Sequence, residues 1–368
     1  MILQSLELLN FKNYEKTRAE FCEHINCLVG LNGSGKTNVL DAIYYLSLTK
    51  SATNSSDTQN IRDEQSYFVI NGQIQKKNEH KIHCSLKKGE KKKFTFDGSE
   101  YDKMSQHLGQ VPVVLIAPND DELIRDTSET RRKYFDSIIS QIDSEYLQAL
   151  IRYNHFLKQR NALLKSHAET RKLDKTLLAT YDAELIEGSM VISKKREDFV
   201  TEFEPHFEEN YARIAQKKET VRIAYSSKVL TKTFKDDFAK GLEKDVITQR
   251  TNLGIHRDDY AFMIGDHPVK KFGSQGQQKS FLVSLKFAQF TFMKEHLEIT
   301  PILLLDDIFD KLDDGRIQRM LEIITSDQFQ QIFITDAREE RTMSLINNQF
   351  EPLKIFRIED QKIVELSD

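Results

Sequence analysis

The sequence predicts an α/β fold, a mixed sheet with flanking helices that is cut open by a mostly helical inserted lobe. Three observations carry this. Gly30-Leu31-Asn32-Gly33-Ser34-Gly35-Lys36-Thr37 is a full G-x-x-x-x-G-K-T loop, set between an apolar run at 25–31 and a helical pattern at 37–48. Ile302-Leu303-Leu304-Leu305 is an apolar strand that ends in two carboxylates, Asp306 and Asp307. Between these distant segments, from about 118 to 247, apolar residues fall at helical spacing, glycines are few and charges many.

In chain order, residues 2–8 alternate as a strand, the run at 25–31 feeds the loop, and 37–48 form the helix after it. Strands are predicted at 67–74 and 111–116. Between them, the alternating runs 81–86 and 94–97 form a hairpin whose tip is Lys87-Lys88-Gly89-Glu90-Lys91-Lys92-Lys93. From Pro118 the pattern turns helical, over 129–166 and 172–217, followed by a strand at 221–225 and a helix at 233–246. Strand character returns at 260–264 and 301–305, with a helix at 276–296 between them. The strands 332–335 and 354–358 complete the sheet. The expected organisation is therefore 1–117 as the first part of the sheet lobe, 118–247 as the helical insertion, and 248–368 as the second part of the sheet lobe.

A chain of 368 residues with 39% apolar and 30% charged residues can bury a large core and still carry long solvated helices. No apolar stretch approaches the roughly 20 residues needed to cross a bilayer. The first residues lack the pattern of a secretory leader, so a cytoplasmic protein with no membrane partner is expected. Cys22, Cys27 and Cys84 fit no disulfide framework or metal spacing. A net charge of −4 argues against a globally basic nucleic-acid binder but leaves room for local patches. Lys87, Lys88, Lys91, Lys92 and Lys93 at the hairpin tip are the best candidates for DNA phosphates. Arg131-Arg132-Lys133, Lys194-Lys195-Arg196 and Lys217-Lys218 read first as solvated faces.

The chemistry follows from residue types. Glycines in the 30–37 loop let backbone N–H groups converge on phosphate oxygens, and the following helix adds its positive end. Lys36 is placed to neutralise β and γ phosphates, and the Thr37 hydroxyl to ligate Mg²⁺. Asp306 is the expected carboxylate on the metal side and Asp307 the candidate for positioning attacking water. ATP and Mg²⁺ are the expected cofactors. Because Asp307 is one methylene shorter than a glutamate, slow turnover is expected.

Phe272-Gly273-Ser274-Gln275-Gly276-Gln277-Gln278-Lys279-Ser280 opens an apolar helix shortly before the Asp-Asp strand. By itself it reads as a helix N-cap; in that position it resembles the S-G-G-Q signature of ABC-type ATPases. The resemblance implies that Ser274, Gln275, Gly276 and Gln277 meet the γ-phosphate held by a second protomer. In Asp310-Lys311-Leu312-Asp313 it implies that Asp313 supports the dimer face. Thr335-Asp336 follows the next strand, and no chemistry is assigned to Asp336.

Further segments extend the likeness. They are Leu9-Asn10-Phe11-Lys12-Asn13-Tyr14, the continuation Thr37-Asn38-Val39-Leu40-Asp41-Ala42-Ile43, Ala117-Pro118-Asn119-Asp120-Asp121, and Arg131-Arg132-Lys133-Tyr134-Phe135-Asp136. Tyr153 to Lys165 with Lys158-Gln159-Arg160-Asn161, and Gly254-Ile255-His256-Arg257-Asp258-Asp259, complete the set. Over nearly its full length the chain resembles the RecF family of the SMC/ABC-type ATPases. Ile255 stands where the family usually has Pro, and Lys279 where it has Arg, which loses the bidentate fork.

The resemblance implies a P-loop ABC/SMC-head-like ATPase lobe in which Lys12 and Asn13 hold the base or ribose. It implies a homodimer closed by ATP that binds duplex DNA and single-strand gaps, with RecO and RecR as partners. The work implied is recombinational repair, fork maintenance and the SOS response to DNA damage. Hydrolysis by a slow, DNA-stimulated ATPase would reset the clamp. A non-hydrolysing ATP-binding adaptor and an ABC-type ATPase coupled to a nuclease partner remain the other readings.

Overall fold

The structure is a computed structural model that describes residues 1–215, 219–308, 314–324, 328–338 and 352–366. Its residues separate into two compact units. The first holds 1–120, 213–215 and 285–368, and the second holds 121–212 and 216–284.

The first unit opens with β1 (Ile2–Phe11), β2 (Tyr14–Glu20) and β3 (Ile25–Val29), then α1 (Lys36–Leu48). After it come β4 (Tyr67–Gln75), β5 (Glu79–Lys87), β6 (Lys93–Phe96), β7 (Ser99–Glu100) and β8 (Val113–Ile116). Alternation of buried and exposed residues along β4 and β5 matches a half-buried antiparallel sheet, in the order β2-β1-β4-β5-β6-β7. By contrast, β3 is buried at every position, as expected of a strand covered on both faces. The helix α1 buries residues all round its circumference, including Val39, Leu40, Ala42, Ile43 and Leu46. It packs in one apolar core with Leu6, Leu8 and Ile70 of the antiparallel sheet and with Ile302, Leu304, Phe333 and Phe356 from the far end of the chain.

The second unit contains α2 (Glu122–Arg125), α3 (Ser128–Ile142), α4 (Ser144–Thr170), most of α5 (Lys175–Ala215), β9 (Val221–Ser226), α6 (Phe234–Lys240) and α7 (Leu242–Thr248). It continues with β10 (Asp259–Ile264), β11 (His267–Pro268), α8 (Val269–Phe272) and the start of α9 (Gln275–Leu297). The single helical segment expected over 129–166 is two helices. Asp143 is extended and caps α4, its side chain accepting the Tyr146 N–H at 2.9 Å. The strand expected at 260–264 does not join the large sheet. As β10 it pairs antiparallel with β9, from Asp259↔Ser226 to Ile264↔Val221. Residues 248–284 therefore belong with the helical insertion, and the boundary expected at 247 falls instead within α9, after Ser284.

After α9 the first unit resumes with β12 (Ile302–Leu305), α10 (Asp314–Ile324), β13 (Gln331–Asp336), β14 (Leu353–Glu359) and β15 (Lys362–Leu366). Its second sheet has the order β15-β14-β3-β13-β12-β8, parallel from β14 to β8 with β15 antiparallel at the edge. The carboxyl ends of β3, β12 and β13 thus open on the same side, where ligands bind in open α/β sheets. Among the described residues no helix is long and apolar enough to cross a membrane.

Candidate functional site

The phosphate loop is shaped by two glycines that tolerate no substitute. Gly35, at φ 117°, is approached so closely by Asn13 that an added Cβ would lie 2.5 Å from its Nδ2. Gly30, at φ 155°, would put a Cβ 2.6 Å from the Ile358 carbonyl. The turn between β1 and β2 braces the loop from beneath. Asn13 Nδ2 donates to the Ser34 carbonyl at 2.9 Å and Asn13 Oδ1 accepts from Asn38 at 2.7 Å. The Tyr14 hydroxyl, kept protonated by burial, donates to the Gly35 carbonyl at 3.1 Å. Lys12 is tied down: its ammonium pairs with buried Asp41 of α1 at 2.6 Å and donates to Thr53 at 2.7 Å.

Lys36 folds back onto its own loop, donating to the carbonyls of Gly30 at 2.9 Å and Leu31 at 3.1 Å. The neighbouring Ser34 hydroxyl is buried with no hydrogen-bond partner among the described residues. A cation resting on weak carbonyl acceptors and an orphaned donor, both in a glycine-rich loop, suit an incoming phosphate.

The acidic strand end lies beside this loop. The Thr37 hydroxyl contacts both oxygens of Asp306 at 3.0 Å. Thr335, at the end of β13, donates to Asp306 Oδ1 at 2.8 Å and accepts the Asp307 N–H at 2.9 Å. Asp306 is buried, and desolvation pushes its carboxyl above the usual range, opposed by the Thr335 and Thr37 hydroxyls and the Lys36 charge. Asp307 has a left-handed backbone at φ 43°, a costly conformation off glycine that aspartate tolerates better than most. The donor set is hard oxygen, from one hydroxyl and one carboxylate. It fits a Mg²⁺ ion that takes its remaining ligands from water and substrate phosphates.

In the second unit, Ser274 caps α9 in a reciprocal box. Gln277 N donates to the Ser274 hydroxyl at 3.2 Å, and Ser274 N donates to Gln277 Oε1 at 2.8 Å. Ser274 and Gln275 are exposed, and Gly276 is half-buried. Asp313, with Asp310, Lys311 and Leu312, lies outside the described residues. So do Lys217 and Lys218.

The hairpin formed by β5 and β6 exposes Lys87, Lys88, Lys91 and Lys93, with Lys87 paired to Glu90 at 2.6 Å. Lys92 does not share that exposure. It turns inward to Asp57 at 2.8 Å, the Tyr45 hydroxyl at 3.1 Å and the Thr49 carbonyl that ends α1. The negative end of a helix and a carboxylate outcompete solvent for this one ammonium. Lys92 is therefore a structural residue and leaves the set of candidate DNA contacts.

The other motif residues form the second unit's buried polar network. Arg131 makes a bidentate pair with Asp259 at 2.9 and 3.1 Å, and Arg132 donates to the Asp258 carbonyl. Arg196, predicted to lie on a solvated face, is buried against Asp136, Asp258, the Tyr146 hydroxyl and the Ile255 carbonyl. Arg160 is likewise buried, on Asp182 and Asp245. Sequence reasoning gave no role to Thr335, Asn38 or Asp41. Their only signals were polar side chains at an apolar strand end and on an otherwise buried helix.

A braced phosphate loop facing an acidic strand end through an intervening parallel strand defines a nucleotide-binding head of the ABC/SMC type. The chain belongs to the family described as the RecF/RecN/SMC N terminal domain, whose model matches residues 2–362. Its relatives include the DNA replication and repair protein RecF of Flavobacterium johnsoniae, 45% identical over 97% of this chain and 100% of that protein. RecF of Cytophaga hutchinsonii is 43% identical over 99% of this chain and 96% of its own length. A solved structure of the recombination mediator protein RecF with ATP, in the RecFOR pathway, matches with a TM-score of 0.89 at 29% identity. It covers 100% of this chain and 98% of that one. The Smc head domain of Pyrococcus furiosus shares the fold at a TM-score of 0.57 and 18% identity.

Proposed function

We propose that this chain is an ATP-driven switch in DNA replication and recombinational repair. The observation that carries the reading is the hydrogen-bonded chain Thr37–Asp306–Thr335–Asp307, which joins the phosphate loop to the acidic strand end. Lys36 exchanges its carbonyl partners for triphosphate oxygens, which bind an ammonium more strongly. Gly30, Leu31, Asn32, Gly33, Ser34 and Gly35 supply the cradle. Asn13 acts on the loop rather than on the base, and Lys12 acts through Asp41. A Mg²⁺ ion held by Thr37 and Asp306 would supply neutralisation of charge on the β and γ phosphates. Asp307 orients the water that attacks, its backbone fixed through Thr335.

Two copies act together. Ser274, Gln275, Gly276 and Gln277 of one protomer complete the nucleotide site of the other at Lys36, and Asp313 supports that face. The Ser274 hydroxyl accepts a hydrogen bond within its own helix, which leaves its proton for a γ-phosphate oxygen. ATP closes the pair and hydrolysis reopens it. Exposed Lys87, Lys88, Lys91 and Lys93 contact DNA phosphates, a sequence-independent interaction suited to duplex DNA and single-strand gaps. The likeness to a recombination mediator in the RecFOR pathway supports RecO and RecR as partners, cytoplasmic action and a role in the response to DNA damage.

The test is ATP binding and molecular mass measured together. Lys36→Ala is expected to lose both ATP binding and ATP-dependent dimerisation. Ser274→Arg is expected to keep ATP binding and lose the dimer; a normal dimer in that variant would overturn the sandwich.

A further inference from the structure

Two large apolar side chains stand in solvent beside the two motifs that this reading brings together. Leu31, the second residue of the phosphate loop, is 81% exposed, and Phe272, two residues before Ser274, is 64% exposed. Each belongs to a segment otherwise built of Gly, Ser, Asn, Gln and Lys. We infer that Leu31 of one protomer packs against Phe272 of a second copy when ATP is bound, forming an apolar seal that closes the nucleotide site to bulk solvent. The inference rests on the two-protomer reading above.

Geometry supports the pairing. The Leu31 carbonyl accepts a hydrogen bond from the Lys36 ammonium at 3.1 Å, so Leu31 borders the group that would hold phosphate. Phe272 lies within about 7 Å of Ser274, the reach of two extended residues. If Ser274 faces Lys36 across an interface, these two side chains flank the same contact.

Phe272 is also held in place. Its ring lies 5.0 Å from that of His267, and Val269 beneath it is buried. Gly273 is packed so tightly that a Cβ would lie 2.8 Å from the Val269 carbonyl, which fixes the turn presenting both Phe272 and Ser274. A preformed aromatic at an exposed turn loses little freedom on docking.

Both rims carry charged side chains. Gly30 packs against Ile358, and the exposed Glu359 and Asp360 follow it, with Lys362 opposite Glu359 in the ladder. Phe272 is preceded by the exposed Lys270 and Lys271 and followed by Lys279. The carboxylates of Glu359 and Asp360 near Leu31 offer partners to the lysines around Phe272, in a contact made twice across a two-fold axis. Ile247, 80% exposed on α7, has no such motif beside it and serves as a control.

The experiment measures the dimer dissociation constant of the full chain with Mg²⁺ and ATP by analytical ultracentrifugation, and monomer affinity for ATP by calorimetry. Leu31→Ser and Phe272→Ser are each expected to weaken the dimer at least tenfold. The double variant is expected to lose less than the product of the two, because both remove one contact. ATP affinity of the Phe272→Ser monomer and dimerisation of Ile247→Ser should match the parent.

Three results would overturn the seal. Singles within twofold of the parent, while Ser274→Arg abolishes the dimer, would leave the sandwich standing and remove the seal. A normal dimer from Ser274→Arg would remove the sandwich and the seal with it. A dimer weakened as much in Ile247→Ser as in the two singles would show that any exposed apolar side chain has this effect and would remove the seal. As an independent measurement, Leu31→Cys with Phe272→Cys, in a Cys22→Ser background, should give a bismaleimide-linked dimer only with ATP. Linkage without nucleotide would contradict the proposal.

Discussion

The Thr37 hydroxyl lies 3.0 Å from both carboxylate oxygens of Asp306, although 269 residues separate the two in the chain. The link exists because β13 lies between β3 and β12 in the parallel sheet, so three strand ends open at one level. Thr335 on the middle strand reaches the same carboxylate at 2.8 Å. Burial raises the cost of charge on Asp306, while these hydroxyls and Lys36 lower it. The result is a carboxylate poised to be neutralised by a cation.

Thr335 is thus expected to be a positioning residue. Thr335→Val would leave the Asp307 N–H and one Asp306 oxygen without this partner, at a cost of about 1–3 kcal/mol. ATP turnover is expected to fall at least tenfold with KM for ATP changed by less than about threefold, and Thr335→Ser should restore it. Steady-state kinetics with a melting curve decides this; equal turnover in the Val variant would detach Thr335 from the mechanism.

Asp307→Asn keeps the size of the side chain and removes its charge. The variant is expected to bind ATP normally and to hydrolyse it at the background rate, which accumulates the closed dimer. Single-turnover measurement of phosphate release reports this directly, and undiminished release would take Asp307 out of the reaction.

The hairpin lysines divide into two kinds. Lys91→Gln with Lys93→Gln should weaken duplex binding similarly across sequences and flatten the log–log salt slope by about 0.9 for each DNA phosphate no longer neutralised. Lys92→Gln should leave that slope unchanged and instead destabilise the fold by roughly 1–2 kcal/mol, because Lys92 pairs with Asp57 and the end of α1. Fluorescence anisotropy across a salt series, beside a thermal melt, separates the two effects.

Two buried histidines set an acid limit. His107 and His256 are held down to about 4 from an ordinary 6.5, chiefly by desolvation. Each donates from Nε2 to a backbone carbonyl, Leu46 or Thr251, and accepts at Nδ1 from a tyrosine hydroxyl. The folded state therefore binds fewer protons than the unfolded state between pH 4 and 6.5. Their contribution is complete above about pH 6.5 and lost as pH falls toward 4, roughly 3 kcal/mol each at most. His107→Gln should flatten the fall in Tm between pH 6.5 and 4.5; an unchanged profile would assign the acid sensitivity elsewhere.

The phosphate loop and the Asp306-Asp307 strand were legible because their chemistry is local: glycines at fixed offsets, then four apolar residues ending in acid. Thr335 was not legible as a partner of Asp306, since that pairing depends on strand order, which no local pattern encodes. The strand at 260–264 carries the right alternation, yet its partner is β9 rather than the large sheet. Hence the expected boundary at 247 missed the insertion's return. Lys92 looks like its neighbours in sequence, and only the end of α1 beside it distinguishes an anchor from a free charge. Arg131 and Arg196 show the same limit, because burial beside carboxylates turned apparent surface charge into internal structure.

The central claim is that two heads share their nucleotides and respond to DNA. It is tested most directly by ATP turnover per chain against protein concentration, with and without gapped duplex DNA. Specific activity that rises with concentration and is stimulated by the gapped duplex is the predicted result. Activity that is flat with concentration and indifferent to DNA would mean that each head works alone, contradicting the account.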